Sequence, residues 1–367
     1  MAPVVAALKR RSDLRCRVVA TGQHREMFRQ VARELELPVD ADLDAMQPSQ
    51  TLAGLSARLM DKIDGWLGKE PPNLALVQGD TTTVLVAALA CFYRRIPVGH
   101  IEAGLRTGDI WTPFPEELNR RLASHMMTLH FAPTASAREA LLREGVVDGA
   151  IEVTGNTVVD ALFMERSRQA APETRASIEQ ALSLAIGPDW ATRPYVLITG
   201  HRRENFGEGF DQICRAIAAL AAHYPEHRFI YPVHLNPNVK GPVETLLRDV
   251  TNVALIPPQG YRNFIALMAH CTLILTDSGG VQEEAPSLGK PVLVMRESTE
   301  RPEGVTAGTA RLVGADAASI VRNVSTLLDD AAAYEEMANA VNPCGDGQAA
   351  ERIASRIERF LSESRRL

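Results

Sequence analysis

Three carboxylates stand where an apolar run gives way to a loop or a new helix. Leu76-Val77-Gln78-Gly79-Asp80 ends such a run in Gly-Asp and opens a helical stretch at Thr81-Thr82-Thr83. Gly99-His100-Ile101-Glu102-Ala103-Gly104 places Glu102 at the end of the next run, two residues after His100, so that the two share one face of a strand. Thr112-Pro113-Phe114-Pro115-Glu116-Glu117 begins a helix in which Glu116 and Arg120 are spaced i, i+4. Together Asp80, Glu102 and Glu116 could give and take protons, provided their surroundings separate their pKa values. Each has a plainer account. Asp80 suits a helix N-cap, Glu102 a surface turn, and the Glu pair the positive end of a helix dipole, with a surface ion pair between Glu116 and Arg120.

The second half offers groups that bind anions. Thr199-Gly200-His201-Arg202-Arg203-Glu204 follows an apolar run and precedes a helix. A His and two Arg there suit phosphate, against a solvated basic turn paired with Glu204. Thr276-Asp277-Ser278-Gly279-Gly280 ends another run and opens a helix at once. Paired glycines let backbone N–H groups approach a diphosphate at a positive helix end, the alternative being an ordinary tight turn. Glu284, one turn on, would be repelled by phosphate and should accept from sugar hydroxyls, ribose being the natural candidate. Arg301 is within reach of the same phosphates. Gln259 and Phe264 bracket another junction, where an amide and an aromatic ring suit a flat base such as uracil; alone, Phe264 reads as a core residue. No G-x-G-x-x-G, Walker lysine or H-E-x-x-H motif occurs, which argues against a standard nicotinamide enzyme, a P-loop ATPase and a zincin.

Positioning such loops requires strands that end at one edge. Short apolar runs predict strands at 16–20, 74–77, 98–101, 129–132 and 151–153, then at 195–198, 228–231, 253–255, 273–275 and 292–295. Helical patterns lie between them at 25–37, 52–67, 82–93 and 136–144, then at 173–186, 210–222, 242–248, 264–270, 281–288 and 317–328. Continuous apolar strands separated by helices mean parallel sheets with both faces covered. The expected fold is α/β, with two doubly wound Rossmann-like domains meeting at a cleft and ligands outside the carboxyl ends of the strands. The expected division is an N-terminal domain over 1–160, a connecting segment over 161–193, a nucleotide-binding domain over 194–345, and a helix over 346–367 that packs back on the first domain.

Composition narrows the class. The 367 residues carry 39 Lys and Arg against 45 Asp and Glu, a net charge of −6, which makes a general nucleic-acid binder a poor expectation. No stretch approaches the roughly 20 apolar residues of a spanning helix. Met1-Ala2-Pro3 and the residues behind it read as a helix start, not a signal peptide. Five scattered cysteines, with no C-x-x-C, argue against a disulfide framework or a zinc site and suit a reducing cytoplasm; Cys16, Cys91 and Cys271 read as core residues.

These segments, in order, resemble the non-hydrolysing UDP-N-acetylglucosamine 2-epimerases over essentially the whole chain. The matching segments include Gln23-His24-Arg25-Glu26, Gly79-Asp80-Thr81-Thr82-Thr83, His100-Ile101-Glu102-Ala103-Gly104-Leu105-Arg106-Thr107, Pro115-Glu116-Glu117-Leu118-Asn119-Arg120, Thr154-Gly155-Asn156-Thr157, Gly200-His201-Arg202-Arg203-Glu204, Tyr231-Pro232-Val233-His234, Asp277-Ser278-Gly279-Gly280-Val281-Gln282-Glu283-Glu284 and Thr299-Glu300-Arg301-Pro302-Glu303. The resemblance implies a glycosyltransferase-B-like fold, a homodimer and interconversion of UDP-GlcNAc and UDP-ManNAc for surface polysaccharide. UDP is eliminated to give 2-acetamidoglucal and re-added with C2 inverted, with no redox cofactor or metal. A hydrolysing 2-epimerase, a glycosyltransferase of the same fold and a catalytically impaired nucleotide-sugar binder are the alternatives.

By similarity, Asp80, Glu102 and Glu116 are acid/base groups and His201 acts near the diphosphate. Arg120 supports the active site, Gln259 and Phe264 hold uracil, and Ser278, Gly279, Gly280, Glu284 and Arg301 hold ribose and diphosphate. Gln23, Arg202 and His234 match parts of a regulatory UDP-GlcNAc site of some members, although Glu26 stands where an activated member has Gln. Members also begin with a strand and a loop bearing an Arg and a Lys, ahead of the Met-Ala-Pro that opens this sequence. The first-domain sheet is therefore expected to lack one strand and expose apolar edges.

Overall fold

A computed structural model describes residues 1–22, 32–47, 50–299 and 301–364. The chain forms two compact units, one of residues 1–161 with 344–367 and the other of residues 162–343. The chain is α/β, and every strand pairing among the described residues is parallel.

In the first unit β1 (Val19–Ala20) pairs with β2 (Ala41–Asp42), and β3 (Ala75–Gln78), β4 (Val98–Ile101), β5 (Leu129–Ala132) and β6 (Ile151–Val153) form a four-stranded sheet in sequence order. Ile101, Leu129 and Phe131 pack on one face with Val4, Ala7 and Leu8 of the helix Ala2–Lys9 and Ile353 and Ile357 of the helix Ala349–Ser364. Val98 and Val77 pack on the other with Leu55, Leu59, Ile63 and Leu67. Those four leucines and isoleucines recur every fourth residue of the helix Leu52–Lys69, whose first turn is capped by Thr51 Oγ1 accepting from Gly54 N–H at 3.1 Å. Asp160 accepts from the N–H groups of Ala349 and Ala350, which ties the C-terminal helix into this unit. Within its sheet β3 pairs on one side only, with β4.

The second unit holds a six-stranded sheet in the order β12, β11, β10, β7, β8, β9. Its strands are β7 (Tyr195–Thr199), β8 (Arg228–Pro232), β9 (Val253–Ile256), β10 (Leu273–Thr276), β11 (Val292–Val294) and β12 (Ala310–Leu312). Alternate side chains enter two cores. Val196, Ile198, Phe229, Tyr231, Leu273 and Leu275 face one side; Tyr195, Leu197, Ile230 and Ile274 face the other. Both faces are covered, so these strands read as unbroken apolar runs, and each large side chain buried there stabilises by about 2 kcal/mol. Strand order reverses between β7 and β10, the doubly wound switch point beyond whose carboxyl ends ligands bind.

Several elements differ from expectation. The strand predicted at 16–20 shrinks to the two residues of β1, because its partner β2 is equally short. The helix expected at 242–248 begins at Pro237, where Asn236 Oδ1 accepts from Asn238 N–H and proline suits the first turn; Pro242 lies inside it. The helix Thr157–Gln169, falling within the change of domain, and the three-residue β12 were not anticipated. The pattern at 25–37 falls largely outside the described residues. Cys91 and Cys271 sit in cores, and Cys16 packs partly buried against one. No helix among the described residues is long and apolar enough to cross a membrane.

Candidate functional site

Asp80 follows β3 through Gly79, whose φ of +79° turns the chain where the strand stops. The loop is held from three directions. His100 Nε2 lies 2.7 Å from Gly79 O, Asn119 Nδ2 donates to Asp80 O at 2.8 Å, and Arg120 Nη1 donates to Asp80 Oδ2 at 3.2 Å. Asp80 is thus gripped by the helix Glu116–Ser124, and no side-chain cap completes the helix that follows it. The plainer cap reading is set aside.

The plainer account of Glu116 and Arg120 as a surface ion pair does not hold. Arg120 is buried, 4% exposed, and turns to Asp80 and to Glu117, whose Oε2 lies 2.9 Å from its Nη2. Glu116 opens the same helix half-buried, so the guanidinium links its helix to Asp80.

Glu102 also departs from the strand pattern. β4 ends at Ile101, and Glu102 adopts a left-handed φ of +65° that costs a non-glycine residue energy. It therefore does not share a strand face with His100. The turn aims it beside the Asp80 loop: a Cβ added at Gly79 would lie 3.9 Å from Glu102 Oε2. Gly104, two residues on, passes so close to the backbone of Ala137 that any Cβ would collide with its carbonyl at 2.2 Å. Arg106 anchors the rest of the loop through Glu144, at 2.7 and 2.8 Å, and Ser124 Oγ. His100 and its cross-strand partner His130 are both buried, and desolvation lowers each to a pKa of about 4, so both are neutral at pH 7.

In the second unit the loops after β7 and β10 meet at the switch point. Asp277 is fully buried, and its Oδ2 accepts from the backbone N–H groups of His201 and Arg202, both at 2.8 Å. His201 Nδ1 lies 3.3 Å from Asp277 Oδ1, and its ring stacks on His234 with centroids 5.7 Å apart. Desolvation lowers the His201 pKa, against the opposing pull of Asp277. Glu204 pairs with Arg296. Ser278 opens the helix Gly279–Glu284 without a side-chain cap bond, and a Cβ at Gly280 would meet no protein atom within 4 Å. Packing therefore does not require glycine there.

Glu284 is buried and accepts from the Tyr261 hydroxyl at 2.8 Å. Desolvation lifts its carboxyl to a pKa of about 8. Arg301 pairs with Glu283, the neighbour of Glu284. Gln259 Nε2 donates to Pro257 O, and its Oε1 accepts from Asn263; Phe264 packs partly buried against the core. Gln23 lies outside the described residues. Glu117, Asn119 and Tyr261 were missed as contributors, since a second Glu in a helical first turn, an Asn on a helix and a Tyr before an apolar helix carry no distinctive spacing.

The family model for UDP-N-acetylglucosamine 2-epimerase matches residues 6–358. A UDP-N-acetylglucosamine 2-epimerase of Escherichia coli O157:H7 is 51% identical over 358 residues, 98% of this chain and 94% of that protein. One from Campylobacter jejuni is 46% identical, over 96% and 92% of the two chains. The crystal structure of the Neisseria meningitidis UDP-GlcNAc 2-epimerase bound to UDP-GlcNAc superposes with a TM-score of 0.91 at 45% identity, covering 98% of this chain and 96% of that one. The Methanocaldococcus jannaschii enzyme in complex with UDP-GlcNAc and UDP gives a TM-score of 0.80 at 33% identity, covering 98% and 95%. With a family model spanning nearly its whole length and relatives about half identical to it, the chain belongs to the UDP-N-acetylglucosamine 2-epimerase family.

Proposed function

We propose that the chain inverts C2 of UDP-GlcNAc to give UDP-ManNAc, reversibly. The observation that carries this reading is the end-to-end match to 2-epimerases, among them a structure bound to UDP-GlcNAc. The two strand-end clusters support it. Loss of the C2 proton to a carboxylate, with the C1–O bond breaking toward UDP, leaves 2-acetamidoglucal. Return of UDP oxygen to C1 and delivery of a proton to the other face of C2 complete the inversion. Asp80, Glu102 and Glu116 handle these protons, with Arg120 holding Asp80.

In the second unit His201 serves the diphosphate, and Ser278, Gly279 and Gly280 present backbone to it; the open space at Gly280 supports that role. Arg301 joins them, Glu284 accepts from ribose hydroxyls, and Gln259 and Phe264 hold uracil. Arg202 and His234, with Gln23, remain the candidate regulatory set. The enzyme works as a cytoplasmic homodimer whose product feeds a surface polysaccharide.

Incubation with UDP-GlcNAc in deuterated water tests the reading. The expected result is UDP-ManNAc carrying deuterium at C2. Free ManNAc with UDP would mean a hydrolysing enzyme, and binding without turnover would overturn catalysis. Glu102→Gln should lose exchange at C2, by at least a hundredfold, while keeping its affinity for UDP.

A further inference from the structure

Glu117 looks like a residue that only flatters a helix dipole, yet none of its surface is exposed. Such a role is served by a solvated side chain and is worth about 0.3–1 kcal/mol. A fully buried carboxylate is costly unless its oxygens are matched. Those of Glu117 are. Oε2 accepts from Thr107 N–H at 3.1 Å and lies 2.9 Å from Arg120 Nη2. Oε1 accepts from Arg121 Nε at 3.1 Å and from Gly108 N–H at 3.4 Å. The spacings i, i+3 and i, i+4 on one helix bring the two arginines to it, and the backbone of residues 107–108 comes from the loop that begins at Glu102.

We propose that Glu117 is a positioning residue for the proton-transfer groups. It holds one side of the Arg120 guanidinium, so that the other side meets Asp80, and it pins the loop that follows Glu102. The inference rests on the reading of Asp80 and Glu102 as acid/base groups. One carboxylate thereby sets the placement of two others without touching substrate. Its loss leaves Arg120 buried with Asp80 as its remaining carboxylate, releases two backbone N–H groups, and lets both loops drift by fractions of an ångström. Proton transfer is sensitive to such drift, whereas the nucleotide groups of the second unit are not involved.

The test is a double-mutant cycle of Glu117→Gln with Asp80→Asn, with active protein counted by UDP binding and conversion followed by NMR over long incubations. Glu117→Gln should lower kcat at least tenfold and leave KM for UDP-GlcNAc within twofold. In the Asp80→Asn background it should cost less than twofold more. Glu117→Asp, which keeps the charge, should recover part of the loss, and it carries the same cycle should the Gln variant not fold. Variants within twofold of native kcat, or losses that multiply in the double variant, would overturn the inference alone. A native kcat in Asp80→Asn would sink the reading of Asp80 and the inference with it.

Discussion

Glu284 faces two demands at the residue scale. Burial keeps its carboxyl protonated at neutral pH, with a pKa of about 8, whereas ribose hydroxyls are best accepted by a carboxylate. UDP binding at pH 7 should therefore release a proton, and titration calorimetry in two buffers of different ionisation enthalpy should show it. The release should vanish in Glu284→Gln; equal proton counts in the two proteins would refute the ribose role. The sign for stability is the reverse of an ordinary ion-paired acid. The folded pKa lies above the unfolded 4.5, so the contribution is present below pH 4.5 and is lost as pH rises toward 8. Much of the candidate site was legible at this scale. Asp80, Glu102 and Ser278 to Gly280 stand where apolar runs stop, and that position needs no coordinates to see. Glu117 was illegible because its burial depends on a distant loop folding over it, and sequence shows only another acid in a first turn.

Among elements, the longer strands were the easiest to read. β4 and β5 are buried at every position, so their runs are continuous. β12 was missed because three residues with an exposed Arg311 at the centre carry no period. The helix Thr157–Gln169 was missed because its charged second half masks the residues it buries. β4 and β5 also carry a cost in acid. His100 and His130 are neighbours across them, each with a folded pKa of about 4 against an ordinary 6.5. The unfolded chain binds protons first, so stability is full above pH 6.5 and falls by a few kcal/mol as pH drops toward 4. His130→Leu should flatten this slope in urea unfolding at pH 7 and pH 4.5. An unchanged slope would place the acid sensitivity elsewhere.

At the scale of the molecule, a net charge of −6 had left open how an anion could bind. The proposed answer is local, in His201 and the bare backbone at the switch point of the second unit. The first unit bears on assembly. Trp111 and Phe114 stack at 5.8 Å and are more than half exposed, and Leu118 and Leu122 continue the apolar surface along the helix Glu116–Ser124. On the homodimer proposed above, this exposed apolar surface is the expected contact. Leu118→Glu with Leu122→Glu should convert a dimer to a monomer in analytical ultracentrifugation. A native mass in that variant would exclude this surface as the interface.

The division of the chain has a consequence for how the protein is made. Residues 162–343 form one unit without interruption, whereas the other unit needs residues 344–364 to cover its sheet. During synthesis the uninterrupted unit can fold as it leaves the ribosome. The first unit can close its core only once the helix Ala349–Ser364 has emerged.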